Sequence, residues 1–311
     1  MLTPKERICT FPPMGRKNSL VIKSFLESLD LEVVMPPKMT SETVKKGVKN
    51  CASMICYPLK TTMGAYIEAL DLGANTLLAY DTRGQCRYRQ YPFLHSFALT
   101  GLGYDFDMPI LNPKNIVGEL KKISGKSRLT ILKNMYKHYK MIEENDKQTW
   151  SEDKPNIGLI GEIYVMNNEE VNLGLEEKVR GYDCNLFNTA TTVNFMKEKI
   201  PIFNPLKLFK KDPMKDYKKK AKGFLNGPVG GHAEENLYNL LDLVDRGVEG
   251  AIHIAPMTCT AENCIEPYVN HICKENKIPL LRIPIDENSA ERNLETRLEV
   301  FTEMIKMRKG K

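Results

Sequence analysis

Two periodicities exchange along this chain, and that exchange restricts its fold more than any other feature. Short apolar runs alternate with longer stretches whose apolar residues recur every three to four positions, as in GAIHIAP, AENCIEPYVNHICKEN and PLLRIPID across 250–286. The short runs read as strands buried on both faces, and the long ones as amphipathic helices lying across them. A strand, a helix and a strand in that order close as a parallel pair, because the helix must return the chain to its starting edge.

The first part of the chain follows this grammar. RICTF, LEVVMP, NTLLAY and FDMPIL read as strands, and SLVIKSFLESLD, SETVKKGVKN and TTMGAYIEALDLG as helices, the last closed by Gly73. From Pro113 to about Trp150 the pattern turns helical and polar, until SEDKPN breaks it. The second part begins again. NIGLIGEIYV, YDCNLF, GAIHIAP and PLLRIPID are its strands, and EEVNLGLEEKVRG, AEENLYNLLDLVDRG, AENCIEPYVNHICKEN and ERNLETRLEVFTEMIKM its helices. The expected fold class is α/β, with two Rossmann-like lobes built on parallel sheets, over 1–112 and 155–311. A helical connection over 113–154 joins them, an irregular lysine-rich insertion sits at about 200–230, and a cofactor cleft is expected between the lobes. A length of 311 residues suits two such cores.

No run of about 18 apolar residues is present to span a bilayer, and the opening MLTPKERICTF lacks the apolar core of a secretion signal. A cytoplasmic protein without membrane partners is expected. The net charge of +6 owes much to LKLFKKDPMKDYKKKAKGF (206–224), which reads as a solvated or docking face. Nucleic acid is not an expected partner, because aromatic and arginine platforms are missing around that run.

The chain has eight cysteines, and a reducing cytosol argues against disulfides. In an open parallel sheet the binding edge lies beyond the carboxyl ends of the strands. Cys9 is expected at the end of the first strand, Cys56 in a loop entering a helix, Cys86 after NTLLAY and Cys259 after GAIHIAP, all on that edge. Cys264 follows about one turn later. Iron–sulfur chemistry needs thiolates on loops whose N–H groups point at the sulfides, and helix N-termini help ionise a thiol. The Cys-x4-Cys pairs Cys51/Cys56 and Cys259/Cys264 do not have zinc-ribbon spacing. From the residues alone, buried filler, reactive thiol and metal ligand stay open. Cys184 and Cys273 read as core, His253 as a packed strand residue, and Glu162 as a helix cap or salt-bridge partner. Lys60 and Arg87 read either as surface residues or as charges balancing a cluster. GPVGGHAEENL (227–237) lacks the Lys-Ser/Thr of a P-loop and reads as a turn before a helix.

Taken together and in order, TFPPMG, LEVVMPP, CYPLK, GAYIEALDLGANTLLAYDTRGQCRY, LGYDFDM, IGLIGEIYV, AIHIAPMTC and ETRLEVFTEM resemble the small, activase-related branch of the 2-hydroxyacyl-CoA dehydratase subunit superfamily. The similarity runs over nearly the whole chain. It implies two flavodoxin-like lobes holding a four-iron (4Fe-4S) cluster through three cysteines, which match Cys56, Cys86 and Cys259 here. It also implies an ATP-hydrolysing activase that supplies one electron at low potential. The loop GQCRYRQ departs from the Gly-Pro-Cys-Arg-Phe-Gly-like loop of the relatives. Cys9, Cys51 and Cys264 are additional thiols, and a related branch holds a larger, double-cubane cluster with more cysteines. The resulting expectation is an iron–sulfur protein of an anaerobe, an electron carrier or a reductase-like component, partnered by an activase or another redox protein and open to homo- or hetero-oligomerisation. The alternatives are a larger-cluster reductase, a cluster-delivery module, and a zinc or thiol protein. The sequence leaves open whether it turns over a substrate itself.

Overall fold

A computed structural model describes residues 2–80, 86–204 and 212–309, with Pro201 described by its backbone. The stretch DTRGQ before Cys86 and the first lysines of the basic run, at 205–211, lie outside the described residues. The chain divides into two compact units. One holds 2–80, 87–147 and 192–204, and the other holds Cys86, 148–191 and 212–309.

The first unit contains β1 (Ile8–Thr10), α1 (Arg16–Glu27), β2 (Glu32–Val33), α2 (Ser41–Lys49), α3 (Tyr57–Asp71), β3 (Thr76–Leu77), β4 (Ala79–Tyr80), α4 (Tyr91–Gly101), β5 (Ile110–Leu111), α5 (Ile116–Ser124) and α6 (Arg128–Asn145). Its main sheet has the order β2-β1-β3, and every pairing is parallel. Within the expected strand FDMPIL, Ile110 and Leu111 pair with β4 in a parallel ribbon, and Asp107 bridges to Thr76 of β3 in the same parallel sense. The break between β3 and β4 falls at Leu78. Its N–H bonds to the Thr10 carbonyl (2.8 Å), while the N–H groups on either side of it, of Leu77 and Ala79, bond to the Asp107 (2.8 Å) and Pro109 (3.0 Å) carbonyls, so alternate amides face β1 and the 107–111 stretch.

Cys9, expected at a strand end, is the middle residue of β1, paired with Val33 and Thr76. It belongs to a buried cluster with Phe11, Leu26, Leu78, Leu120, Ile123 and Ile131. Leu120 and Ile123 come from α5 and Ile131 from α6, so helices from the segment expected as a connection complete this core. That segment is divided, counting with the first unit through Lys147 and with the second from Gln148. α2 and α3 meet through glycines. A Cβ on Gly47 would fall well inside 3.0 Å of the Lys60 carbonyl, and one on Gly64 equally close to the Thr43 carbonyl.

The second unit contains β6 (Asn156–Gly161), α7 (Ile163–Met166), α8 (Leu175–Gly181) and β7 (Asn185–Asn188). α9 (Thr192–Lys199) returns to the first unit, where Val193 packs with Val21, Tyr139 and Ile142. The second unit then resumes with α10 (Lys215–Phe224), α11 (Ala233–Asp245), β8 (Gly250–Pro256), α12 (Thr260–Glu275), β9 (Leu280–Ile285) and α13 (Glu291–Lys309). Its sheet has the order β7-β6-β8-β9, all parallel.

The run NIGLIGEIYV is not one strand. β6 ends at Gly161, whose φ of 145° suits glycine and whose Cβ would strike the Ile254 carbonyl. Glu162 then caps α7, accepting from the Val165 N–H at 3.0 Å. Part of the lysine-rich stretch expected to be irregular is α10, which buries Ala221 against the α11 and α12 core. Among the described residues no helix is long and apolar enough to cross a membrane.

Candidate functional site

Each main sheet reverses direction once. In the first unit the chain builds outward from β1 to β2 and then to β3 on the other side; in the second it goes from β6 to β7 and then to β8. At such a reversal the loops leaving the two central strands diverge, and the carboxyl edge between them opens to ligands. In the second unit those loops begin with Glu162 after β6 and with Met257 to Cys259 after β8.

Cys56 is the N-cap of α3 and Cys259 the N-cap of α12, and both are buried. An N-cap sulfur lies where the unsatisfied N–H groups and the positive end of the helix dipole favour a thiolate. The two helices have 15 and 16 residues, long enough for the dipole to develop fully. Cys86 is half-buried and directly precedes a short 3-10 turn, Arg87–Gln90. Arg87 donates to the Met54 carbonyl (3.3 Å), which ties this turn to the loop before Cys56.

The additional thiols are placed differently. Burial pushes Cys9 up to about 11, against the opposing pull of Arg7. Burial pushes Cys51 up to about 12, although Lys60 acts in the other direction. Cys264 is exposed on α12. Cys184 and Cys273 are buried, as core residues should be, and burial raises both thiols. Lys60 is 2% exposed rather than on the surface, and its ammonium donates to the Ser53 carbonyl (2.9 Å), fastening the loop between Cys51 and Cys56.

Beneath the edge of the second unit lies a polar network inside an apolar core. His253, on β8, is fully buried and its Nε2 lies 2.8 Å from Glu262 Oε2, with Glu262 itself 1% exposed in the first turn of α12. The amide nitrogen of Asn236, on α11, donates to both Glu262 oxygens (2.9 and 3.0 Å) and to the Gly161 carbonyl, while its oxygen accepts from the Gly161 N–H. The amide orientation of Asn236 follows from that double pairing, and two nitrogens, Asn236 Nδ2 and His253 Nε2, converge on Glu262. Arg282 stands opposite His253 in the sheet register, bonds to Asn263 (2.8 Å), pairs with Glu266, and lies within electrostatic reach of Glu262 and Cys259. Burial pushes the Glu162 carboxyl up to about 7; amide donation from Val165 and Tyr164 opposes this, and the negative charge of Glu262 adds to it.

Glu162 as a helix cap and His253 as a packed strand residue agree with the sequence reading. Asn236, Glu262 and Arg282 were missed. The available signal was the acidic residue three positions after Cys259, which an α-helix places in the same first turn.

Cys56 and Cys259 fit thiolate ligation by their helix-terminal placement, and burial disfavours Cys9 and Cys51 as thiolates. Among the described residues no three His, Cys, Asp or Glu side chains form a group able to hold a metal ion.

Comparison with known proteins adds two findings. A family model described as 2-hydroxyglutaryl-CoA dehydratase, D-component, matches residues 122–305, more than half of the chain. A second, described as a CoA enzyme activase uncharacterised domain, matches residues 16–78. The first span includes Cys259 and Cys264, the second includes Cys51 and Cys56, and Cys86 lies outside both. No curated protein matches the chain.

Proposed function

Because the chain belongs to the 2-hydroxyglutaryl-CoA dehydratase, D-component, family, we propose that it is an iron–sulfur component of a dehydratase-like system. In this reading it accepts low-potential electrons from an ATP-hydrolysing activase and passes them on, with Cys56, Cys86 and Cys259 as cluster ligands. The match to an activase-associated domain supports the choice of partner. The observation that carries the reading is the repeated placement of a cysteine at a helix N-terminus, Cys56 on α3 and Cys259 on α12. Thiolate ligation requires deprotonated sulfur, and these positions supply the positive potential for it. A bound cluster would supply one-electron chemistry, and three thiolates on a four-iron cluster leave one iron open to a further ligand. The protein's own part is to present the three sulfurs, with Lys60 fixing the loop that precedes Cys56.

The test is purification without oxygen, followed by iron, sulfide and zinc analysis with an absorption spectrum. Bound iron and sulfide in equal amounts, reduced severalfold in Cys56→Ser, Cys86→Ser and Cys259→Ser and retained in Cys273→Ser, support the reading. A colourless protein containing zinc or no metal overturns it.

A further inference from the structure

α4 is apolar on both of its sides, and only one of them is covered. On the covered side Tyr91 shares a buried cluster with Cys56 and Leu59, Leu99 shares another with Met63, Tyr66 and Leu77, and His95 Nε2 lies 3.0 Å from Thr62 Oγ1. The opposite side carries Phe93, Leu94 and Phe97, at positions i, i+1 and i+4, with Thr100 and Gly101 completing the stripe. Phe93 is 62% exposed and Phe97 84%. Leu102, the C-cap, extends this surface at one end. Exposed Met54 extends it at the other, since its carbonyl accepts from Arg87 in the turn that enters α4. A helix that is hydrophobic all round is ordinarily enclosed on all sides.

Area and charge together identify what meets the open side. Phe93, Leu94, Phe97 and Leu102 expose about 450 Å² of surface. That is close to the apolar share of the ~800 Å² that each partner buries in a specific complex of standard size. Between Tyr91 and Gly101 there is no Asp, Glu, Lys or Arg, so the middle of the patch can meet an identical patch without like charges colliding. Its ends differ in sign. Arg87 and Arg89 are exposed in the turn before α4, and Asp105 is exposed just after it, kept near the helix end by the Tyr104 N–H, which bonds to the Leu99 carbonyl (3.2 Å). Antiparallel apposition of two copies sets the basic end of each against the acidic end of the other, and also pairs helix ends of opposite dipole.

We propose that α4 is the self-association face of this chain. Two copies pack through Phe93, Leu94 and Phe97 about a twofold axis, with their α4 helices antiparallel and Arg89 of one copy facing Asp105 of the other. Phe97 stands midway in sequence between Arg89 and Asp105 and lies nearest the axis. The pairing would close off the outer side of the helix whose inner side packs with Cys56. The assignment stands on the first unit and does not depend on a bound cluster.

Sedimentation velocity of the full chain at low salt, between about 1 and 100 μM, tests it. The wild type should dimerise across this range, and Phe97→Asp should weaken the dimer about tenfold or more. Arg89→Glu and Asp105→Arg should each weaken it severalfold, and the two combined should restore it, because the exchanged charges again meet their opposites. Phe97, Arg89 and Asp105 are all exposed, so the variants should fold, and circular dichroism checks that they do. The charge exchange decides the matter even if Phe97→Asp does not fold. A wild type that stays monomeric throughout, or a dimer unchanged in folded Phe97→Asp, overturns the proposal. A dimer that the combined exchange fails to restore overturns the antiparallel arrangement.

Discussion

Gly47 of α2 meets Lys60 of α3 backbone to backbone, with no room for even a single methyl group between them. The same holds for Gly64 against Thr43, so the two helices are joined by a matched pair of glycines. Lys60 also fastens the loop that ends at Cys56, and the glycine contact therefore sets where that loop begins and ends. Gly47→Ala or Gly64→Ala must push the helices apart. We expect a loss of about 3 kcal/mol or more in urea unfolding, the range of overpacking in a tight interior.

His95 gives the first unit a dependence on acid. Burial lowers it to about 4, opposed by a bond to the Leu59 carbonyl, while Thr62 Oγ1 lies 3.0 Å from its Nε2. A base whose folded value lies below its unfolded value binds fewer protons when folded. Its contribution is complete above about pH 6.5 and is lost as the pH falls toward 4. The window corresponds to about 3 kcal/mol. Unfolding at pH 7 and pH 4.5 should show a smaller acid loss in His95→Gln than in the wild type.

Glu162 acts with the opposite sign. Its folded value lies above the unfolded one, so the folded protein binds the extra proton, and stability declines as the pH rises from about 4.5 to about 7. The stability difference between Glu162→Gln and the wild type should therefore move in favour of the variant by about 3 kcal/mol across that interval. Denaturant titrations at pH 4.5 and 8 measure it, and a difference independent of pH would contradict the placement of this carboxyl.

Removing one member of the buried network should cost more than a surface change. Asn236→Ala leaves both Gly161 backbone groups and two Glu262 contacts unmet at a position fully shielded from water. A loss of about 3 kcal/mol is expected. Thermal unfolding of Asn236→Ala beside Asn270→Ala, an exposed amide on α12, provides the comparison.

Much of the fold is legible in the sequence because alternating apolar periods report directly on parallel strands and their crossover helices; β8 was read residue for residue. α4 was not recognised, since Phe93, Leu94 and Phe97 point to solvent and the usual single apolar stripe is absent. α10 was hidden by its lysines, which form a helix once Ala221 is buried. The end of β6 depends on a conformation open to Gly161, which a hydropathy pattern does not register. In the site, the helix-entry position of Cys56 was visible as a cysteine before Pro-Leu-Lys. The partnership of His253 with Asn236 and Glu262 was not, because it joins three elements through spatial register rather than local spacing.

The route of the chain has a consequence for biosynthesis. α9 supplies Val193 to the first unit only after β6 and β7 of the second have left the ribosome, so the amino-terminal half cannot finish maturing before its successor has begun. A single proteolytic cut near Lys147 would leave α9, a structural piece of the first unit, on the fragment that carries the sheet of the second.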